Sequence, residues 1–444
     1  MTTIEQATST SPTAPSAGRR RVLLIAFHFP PFSQSSGLLR TFCFARDLLL
    51  HGWLSTVLTV RASVYEKSRD DLIDKIPPEV QVERAAAWDV ARDFAIGGRY
   101  PDWLALPDRW WSWLAGGAWL ALKRWRAWRP DVIWSTYPIA TAHLLGMLLA
   151  RASGRPWIAD FRDPMLEQDK RDGTWTPADP RLRRARGWIE RACMRHATRL
   201  VFCTEGARQI CLRRYGLQHA EKCVVIPNGF DEDIFHEVET TLPAQNRRSA
   251  RAPLTLVHSG VIYASADRDP TAFLEALGVL KHKGEESAAT LRVILRASGN
   301  DALFSAIAER FECRDMIELM PALPYQQAIA EMFQADGLLI FQGYPSNPAI
   351  PAKLYEYIRV GRPVFAMAHA EGETAGLVAA AGLGRVVDLE DVAGISAGLR
   401  VYLHDLRSGL LRGPAPEQIA TFARSERARE LAAVLDTIMV EQHR

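Results

Sequence analysis

The sequence contains no CxxC pair and no histidine at zinc-finger spacing from a cysteine. Its six cysteines are scattered at 43, 193, 203, 211, 223 and 313. That scatter argues against a disulfide framework or a structural zinc site and fits reduced thiols in a cytosolic protein. Nucleotide fingerprints rich in glycine are missing too. No GxGxxG follows the first predicted strand and no GxxxxGK[ST] occurs, so dinucleotide-binding and P-loop readings lose support. Charge of one sign is also lacking. Lys+Arg 54 against Asp+Glu 51 leaves a net +3, too balanced to make nucleic acid the main partner. Long apolar runs are absent: "WLAGGAWLAL" (Trp113–Leu122) stops at Lys123, well short of the roughly 18 residues a membrane span needs. Residues 1–18, "MTTIEQATSTSPTAPSAG", lack the charged start and apolar centre of a secretory signal and are expected to form a disordered tail.

What is present is a regular alternation of strand and helix patterns. At 444 residues the chain is long enough for two domains or more, each with its own core. "RVLLIAF" reads as a buried strand, "GLLRTFCFARDLLLHG" as an amphipathic helix ended by Gly52, and "STVLTV" as a second buried strand. That is a βαβ unit, which implies a parallel sheet. "DVIWST", "RPWIADF" and "RLVFCT" continue the pattern, with "ATAHLLGMLLARASG" as a helix between the first two. It resumes after a polar, basic break at "PAQNRRSARAP" (Pro243–Pro253) with "LTLVHSG", "ATLRVILRAS", "DGLLIFQG", "PVFAMA" and "GRVVDL". The expectation is an α/β protein of two doubly wound Rossmann-like domains, 19–242 and 254–415, joined by a linker at 243–253 and facing a central cleft. Residues 416–444 are expected to form a C-terminal helix that returns to the first domain.

Loops at the carboxyl ends of the strands should line such a cleft. In "NPAIPAKLYEYIRVGRPVFA" (Asn347–Ala366), Pro351 suits a helix opening and Gly361 with Pro363 supplies a stop. Lys353 and Glu356, three apart, lie on neighbouring parts of the face left by the apolar pair Leu354 and Ile358. A helix N-terminus favours an anion, helped here by Lys353, while Glu356 one turn further in can accept hydrogen bonds from hydroxyl groups. Phosphate at one end and a diol at the other describe a nucleotide. The plainer alternative is a solvated ion pair.

Two further loops offer polar groups. In "HFPPFSQSSGLLR" (His28–Arg40), Ser35, Ser36 and Gly37 precede a helix and let backbone N–H groups approach an oxygen. In "HSGVIYASADRDP" (His258–Pro270), Ser259 and Gly260 end a strand and Arg268 can neutralise a diphosphate leaving group, unless it pairs with Asp267 or Asp269. Asp267-Arg268-Asp269 also spells DxD, a short match to a metal-binding signature. No metal site is expected from it.

Taken in order, "RVLLIAFHFPPFSQSSGLLR", "PDVIWSTYPIATAHLLG", "RPWIADFRDP", "VVIPNGFDEDIF", "LVHSGVIYASADRDP" and "IPAKLYEYIRVGRPV" resemble glycosyltransferase family 4 over nearly everything from Arg21 onward. The resemblance implies a GT-B fold, with an acceptor-binding first domain and a second domain that holds a nucleotide-sugar donor. It further implies metal-independent transfer with retention at the anomeric carbon and no cofactor. Glu356 matches the second glutamate of the family's Glu-x7-Glu motif, expected on the donor ribose. The first falls at Pro348 and is absent. By the same resemblance Lys353 and Arg268 face the diphosphate, and Ser259, Gly260, Tyr357 and Gly37 belong to the donor site. Arg162 and Ser36 line the cleft or acceptor side. Arg162-Asp163 stands where many members have His-Asp. Asp163 is a candidate for orienting hydroxyl groups, with a strand-end turn cap as its alternative.

Tryptophans 103, 110, 111, 113, 119, 125, 128 and 134 crowd a segment that also holds Lys123, Arg124, Arg126 and Arg129. Segment 103–134 could lie in a membrane interface, serving a lipid-linked sugar acceptor at the inner face of the cell membrane, or could simply pack a core with snorkelling arginines. "RLRRARGWIERACMRHATR" (Arg181–Arg199) leans slightly the same way. Two other functions share the architecture. A sugar-nucleotide 2-epimerase would need acid-base residues around the sugar, and a non-catalytic partner of a transferase would fit the missing glutamate.

Overall fold

The computed structural model describes residues 19–32, 37–68, 72–169, 171–242, 253–263, 267–411, 413–442 and 444. The proposed tail, 1–18, and all of the proposed linker except Pro253 lie outside them, as does Ser36.

Two parallel sheets form the molecule. The first contains β1 (Arg20–Ile25), β2 (Trp53–Val60), β3 (Gln81–Ala85), β4 (Val132–Thr136), β5 (Trp157–Arg162), β6 (Arg199–Phe202) and β7 (Cys223–Val225), in the order β3-β2-β1-β4-β5-β6-β7. The second contains β8 (Leu254–Ser259), β9 (Leu291–Arg296), β10 (Ile317–Met320), β11 (Gly337–Gln342), β12 (Val364–Ala368) and β13 (Gly384–Val387), in the order β10-β9-β8-β11-β12-β13. In each, order reverses beside the first strand, opening a crevice at the carboxyl ends.

The strands are buried on both faces because their alternate residues feed separate cores. Leu23 and Ile25 point into one cluster with Trp113, Leu145 and Ile189, while Val22 and Leu24 point into another with Phe42 and Leu435. Helices Trp113–Trp128, Ala140–Ser153 and Pro180–His196 therefore cover one face of the first sheet. Helices Gly37–Asp47 and Arg424–Gln442 cover the opposite face. In the second domain Leu256 and Val257 divide between clusters in the same way.

The last helix, Arg424–Gln442, packs on the first domain. Leu431, Leu435 and Ile438 enter its core, and Asp436 accepts from Trp53 Nε1 at 3.1 Å and from Arg20 at 2.6 Å. Within the Trp-rich segment, Trp113, Trp128 and Trp134 are fully buried, whereas Trp103, Trp111 and Trp119 remain exposed. Packing thus accounts for part of the segment only. β3, β7 and β10 have short or weakly patterned sequences and were not anticipated.

Candidate active site

The helix Ala352–Val360 fixes the centre of the site. Gly361, at φ +71°, ends it in the left-handed conformation that glycine adopts without strain. Leu354, Tyr355, Tyr357 and Ile358 bury one side, leaving Lys353 and Glu356 on the other. They do not pair with each other. Lys353 Nζ lies 3.0 Å from His258 Nε2, and Glu356 Oε1 accepts from Tyr325 Oη at 2.8 Å.

His258 carries no signal of its own in the sequence, and its position explains Lys353. The ring is buried at the end of β8, with Nδ1 2.9 Å from the Leu339 carbonyl. A carbonyl only accepts, so Nδ1 carries the proton and Nε2 offers its lone pair to Lys353. Burial, then the positive charges of Lys353 and Arg268, hold His258 well below its ordinary value, so it stays neutral. Burial and then Arg268 bring Lys353 down to about 7, against an opposing pull from Glu356. Burial likewise raises the Glu356 carboxyl above its usual range. An amine, a guanidinium and a helix N-terminus are groups that can hold an anion.

The supporting residues follow from the same loops. The Ser259 N–H donates to Tyr357 Oη at 3.1 Å, which fixes the end of β8 on the helix. Gly260 has φ +109°, and a Cβ there would stand 3.1 Å from Lys353 Nζ. Arg268 stacks over the Tyr263 ring at 5.0 Å and sits 3.4 Å from Asp267. Asp269 does not pair with it. Its carboxylate accepts from the Thr271 N–H at 2.9 Å at the head of the following helix. Among the described residues no group of three or more His, Cys, Asp and Glu is arranged to hold a metal ion.

On the first domain, Arg162 ends β5 at φ +60°, and Gly37 opens its helix directly against the guanidinium. A Cβ at Gly37 would lie 2.1 Å from Arg162 Nη1. Burial and then the charge of Arg162 lower His28 to about 3. The Asp163 N–H donates to the Phe161 carbonyl at 2.6 Å, so its backbone makes the turn, while burial raises its carboxyl. Beneath them Arg40 and Asp160, 3% and 0% exposed, form a two-pronged pair at 3.0 and 3.1 Å. Arg40 also donates to the Ile226 and Pro227 carbonyls, tying down the "VVIPNGF" loop.

Sequence reading missed Glu167, which lies in a short hairpin with no motif around it. Burial first, then Asp163 from its own domain and Asp267 from the other, raise its carboxyl to about 7. Asp163 and Asp267 belong to the two opposite walls of the cleft. A cavity of about 490 Å³ lies along the same seam, lined among others by Trp175, Arg213, Arg214, Tyr344, Asn347, Pro348 and Glu373. Pro348 is the one position in it singled out from the sequence. Its carbonyl accepts from Thr204 Oγ1 at 2.5 Å, and Glu373 accepts from the Gly206 N–H, so the segment lacking the first glutamate is clamped to the opposite domain.

Two doubly wound domains with their carboxyl edges across a cleft define the GT-B architecture of glycosyltransferases. Residues 45–229 match the family model described as the Glycosyl transferase 4-like domain, in agreement with the resemblance read from the sequence. The fold is similar to that of sucrose-phosphate synthase from Thermosynechococcus elongatus (14% identity, TM-score 0.62, 95% of this chain and 100% of that one). It is also similar to Anabaena HepE in complex with UDP (12%, 0.61, 94% and 100%). A third likeness is to WaaG, a glycosyltransferase involved in lipopolysaccharide biosynthesis (15%, 0.55, 93% and 95%). At these identities the likeness establishes the fold. No curated protein sequence matches the chain.

Proposed function

We propose that the protein is a retaining glycosyltransferase that moves a sugar from a nucleotide-sugar donor to an acceptor hydroxyl. The observation that carries this reading is the cationic group of Lys353 and Arg268 at the head of helix Ala352–Val360, with Glu356 one turn inside. In this reading the diphosphate lies against Lys353 and Arg268, and Glu356, freed from Tyr325, accepts from the ribose hydroxyls. As the bond from the anomeric carbon to the diphosphate oxygen breaks, negative charge grows on the leaving group. Lys353, Arg268 and the helix N-terminus stabilise that charge without a divalent ion. The acceptor oxygen bonds to the anomeric carbon on the face the diphosphate leaves, and the acceptor proton passes to a phosphate oxygen. The products are the glycoside and the nucleoside diphosphate. Asp163, with Arg162 beside it, orients hydroxyl groups from the first domain.

The acceptor is proposed to be a sugar or lipid-linked sugar in surface polysaccharide or glycolipid synthesis. The enzyme would then work in the cytoplasm at the inner face of the cell membrane. No described helix is long and apolar enough to cross a membrane.

A second reading has one specific observation in its favour. Pro348 replaces a glutamate, and its carbonyl is already engaged by Thr204, which fits a donor-binding but non-catalytic partner of a transferase. A thermal-shift screen against UDP, GDP and ADP sugars, with and without EDTA, tests the donor site, because a ligand of the native state raises Tm. Stabilisation by one nucleotide class that survives EDTA is expected. Its absence with every class overturns the donor site. Stabilisation without transfer of the sugar to any acceptor or to water, and so without release of nucleoside diphosphate, favours the non-catalytic reading.

A further inference from the structure

Helices Trp113–Trp128, Ala140–Ser153 and Pro180–His196 lie side by side on one face of the first sheet. Their sequences hold one carboxylate, Glu190, against a run of Lys and Arg. Glu190 is buried, and Arg214 and Tyr215 occupy it at 2.8 and 2.6 Å. The chain as a whole is nearly neutral, so this outer face is a local excess of positive charge. His196, at its edge, is lowered by burial and then by Arg151, Arg195 and Lys222, as such a field requires.

Helix Pro180–His196 presents a single exposed stripe, Arg181, Arg184, Trp188, Arg191 and Arg195, at alternating spacings of three and four residues. Trp188 is 60% exposed. On the outermost helix, Trp119 and Leu122 are 64% and 82% exposed, next to Lys123 and Arg126. Among the described residues none of Lys123, Arg126, Arg184, Arg191 and Arg195 makes an ion pair.

We propose that this three-helix face docks on an anionic phospholipid surface. Trp119, Leu122 and Trp188 enter the headgroup layer, and the basic side chains between them meet lipid phosphates. Interleaved aromatic, aliphatic and basic tips suit the boundary between acyl chains and headgroups. A nucleic acid or an acidic protein would use the cations but give the Leu122 tip nothing to enter. The face also borders the cleft. Trp175 and Arg214 line both the interdomain cavity and the groove beside Trp188, so a docked molecule would hold its cleft mouth near the bilayer. The inference deepens the membrane-face location proposed above and rests on it for its purpose, but vesicle binding is read without any donor.

Sedimentation of the full chain with phosphatidylcholine vesicles, with and without roughly one-third phosphatidylglycerol, tests it. Binding is expected only with the anionic lipid, accompanied by a blue shift of tryptophan emission, and should weaken between about 0.1 M and about 0.5 M salt. Replacing three basic residues together, Arg184→Ser, Arg191→Ser and Arg195→Ser, should weaken partitioning by about a hundredfold. Trp188→Ser should weaken it and reduce the blue shift. Unaltered circular dichroism shows that the variants fold, and should they fail to, Lys123→Ser with Arg126→Ser tests the same face from another helix. Binding that ignores lipid charge, or that survives the triple replacement, overturns the proposal, as does retention on single-stranded DNA with none on vesicles. A nucleotide-sugar thermal shift on the same samples separates this failure from failure of the donor site.

Discussion

Binding of a nucleotide sugar should draw a proton from the buffer at mildly alkaline pH and almost none at mildly acidic pH. Lys353, brought down to about 7 by burial and by Arg268, is neutral in roughly nine molecules of ten at about pH 8 and in roughly one of ten at about pH 6. A diphosphate placed beside it favours the charged form and raises its pKa again. Uptake should therefore approach about 0.9 proton per donor at the higher pH and about 0.1 at the lower. Because only the charged form binds well, Kd should rise about tenfold across the same interval. Isothermal titration in two buffers of different ionisation enthalpy measures the uptake directly. The intact nucleotide sugar is the correct ligand, since a free nucleoside diphosphate carries a terminal phosphate that itself titrates near pH 6. Glu167 also titrates at about 7, so Lys353→Met is the required control: it should abolish most of the uptake. Equal heats in both buffers at about pH 8, with binding intact and Kd flat, would refute the reasoning. In the absence of ligand the sign is opposite. A lysine depressed below its unfolded value binds fewer protons when folded, so its contribution to stability rises with pH from about 7 towards roughly 10.4.

Glu356→Ala should weaken nucleotide-sugar binding by about tenfold or more, since hydrogen bonds to a charged group contribute about 1.5–3 kcal/mol; an unchanged Kd by titration removes Glu356 from the ribose. Arg268→Ala should lower kcat for release of nucleoside diphosphate on the order of a hundredfold, with a smaller change in KM, because it acts on charge developing in the transition state. A purely KM effect in steady-state kinetics would make it a binding residue only. Arg40→Ala leaves Asp160 buried and unpaired and should cost about 3–5 kcal/mol of stability, with Arg40→Met combined with Asp160→Leu costing less; denaturant midpoints compare them. Gly37→Ala puts a methyl group against the flexible end of Arg162, so circular dichroism should show a folded protein while turnover falls.

The alternation of buried strands and amphipathic helices is written in local periodicity, so the α/β class was legible without coordinates. The helix around Lys353 and Glu356 was legible as well, because Pro351 and Gly361 bracket it chemically. Its partners were not. His258 lies 95 residues from Lys353 along the chain, and Tyr325 lies 31 from Glu356. Nothing local distinguishes a histidine that lends a lone pair from one that merely ends a strand. Glu167 is a sharper case. Its near-neutral titration comes from burial and from carboxylates of two domains, quantities that exist only after the chain has closed on itself. The basic face is intermediate. Its arginines are visible in the sequence, but their exposure and the lack of carboxylates around them depend on three helices lying together. What the sequence determined alone is what repeats every two or 3.6 residues. What the tertiary structure decided is proximity between distant residues and the burial that sets their charge.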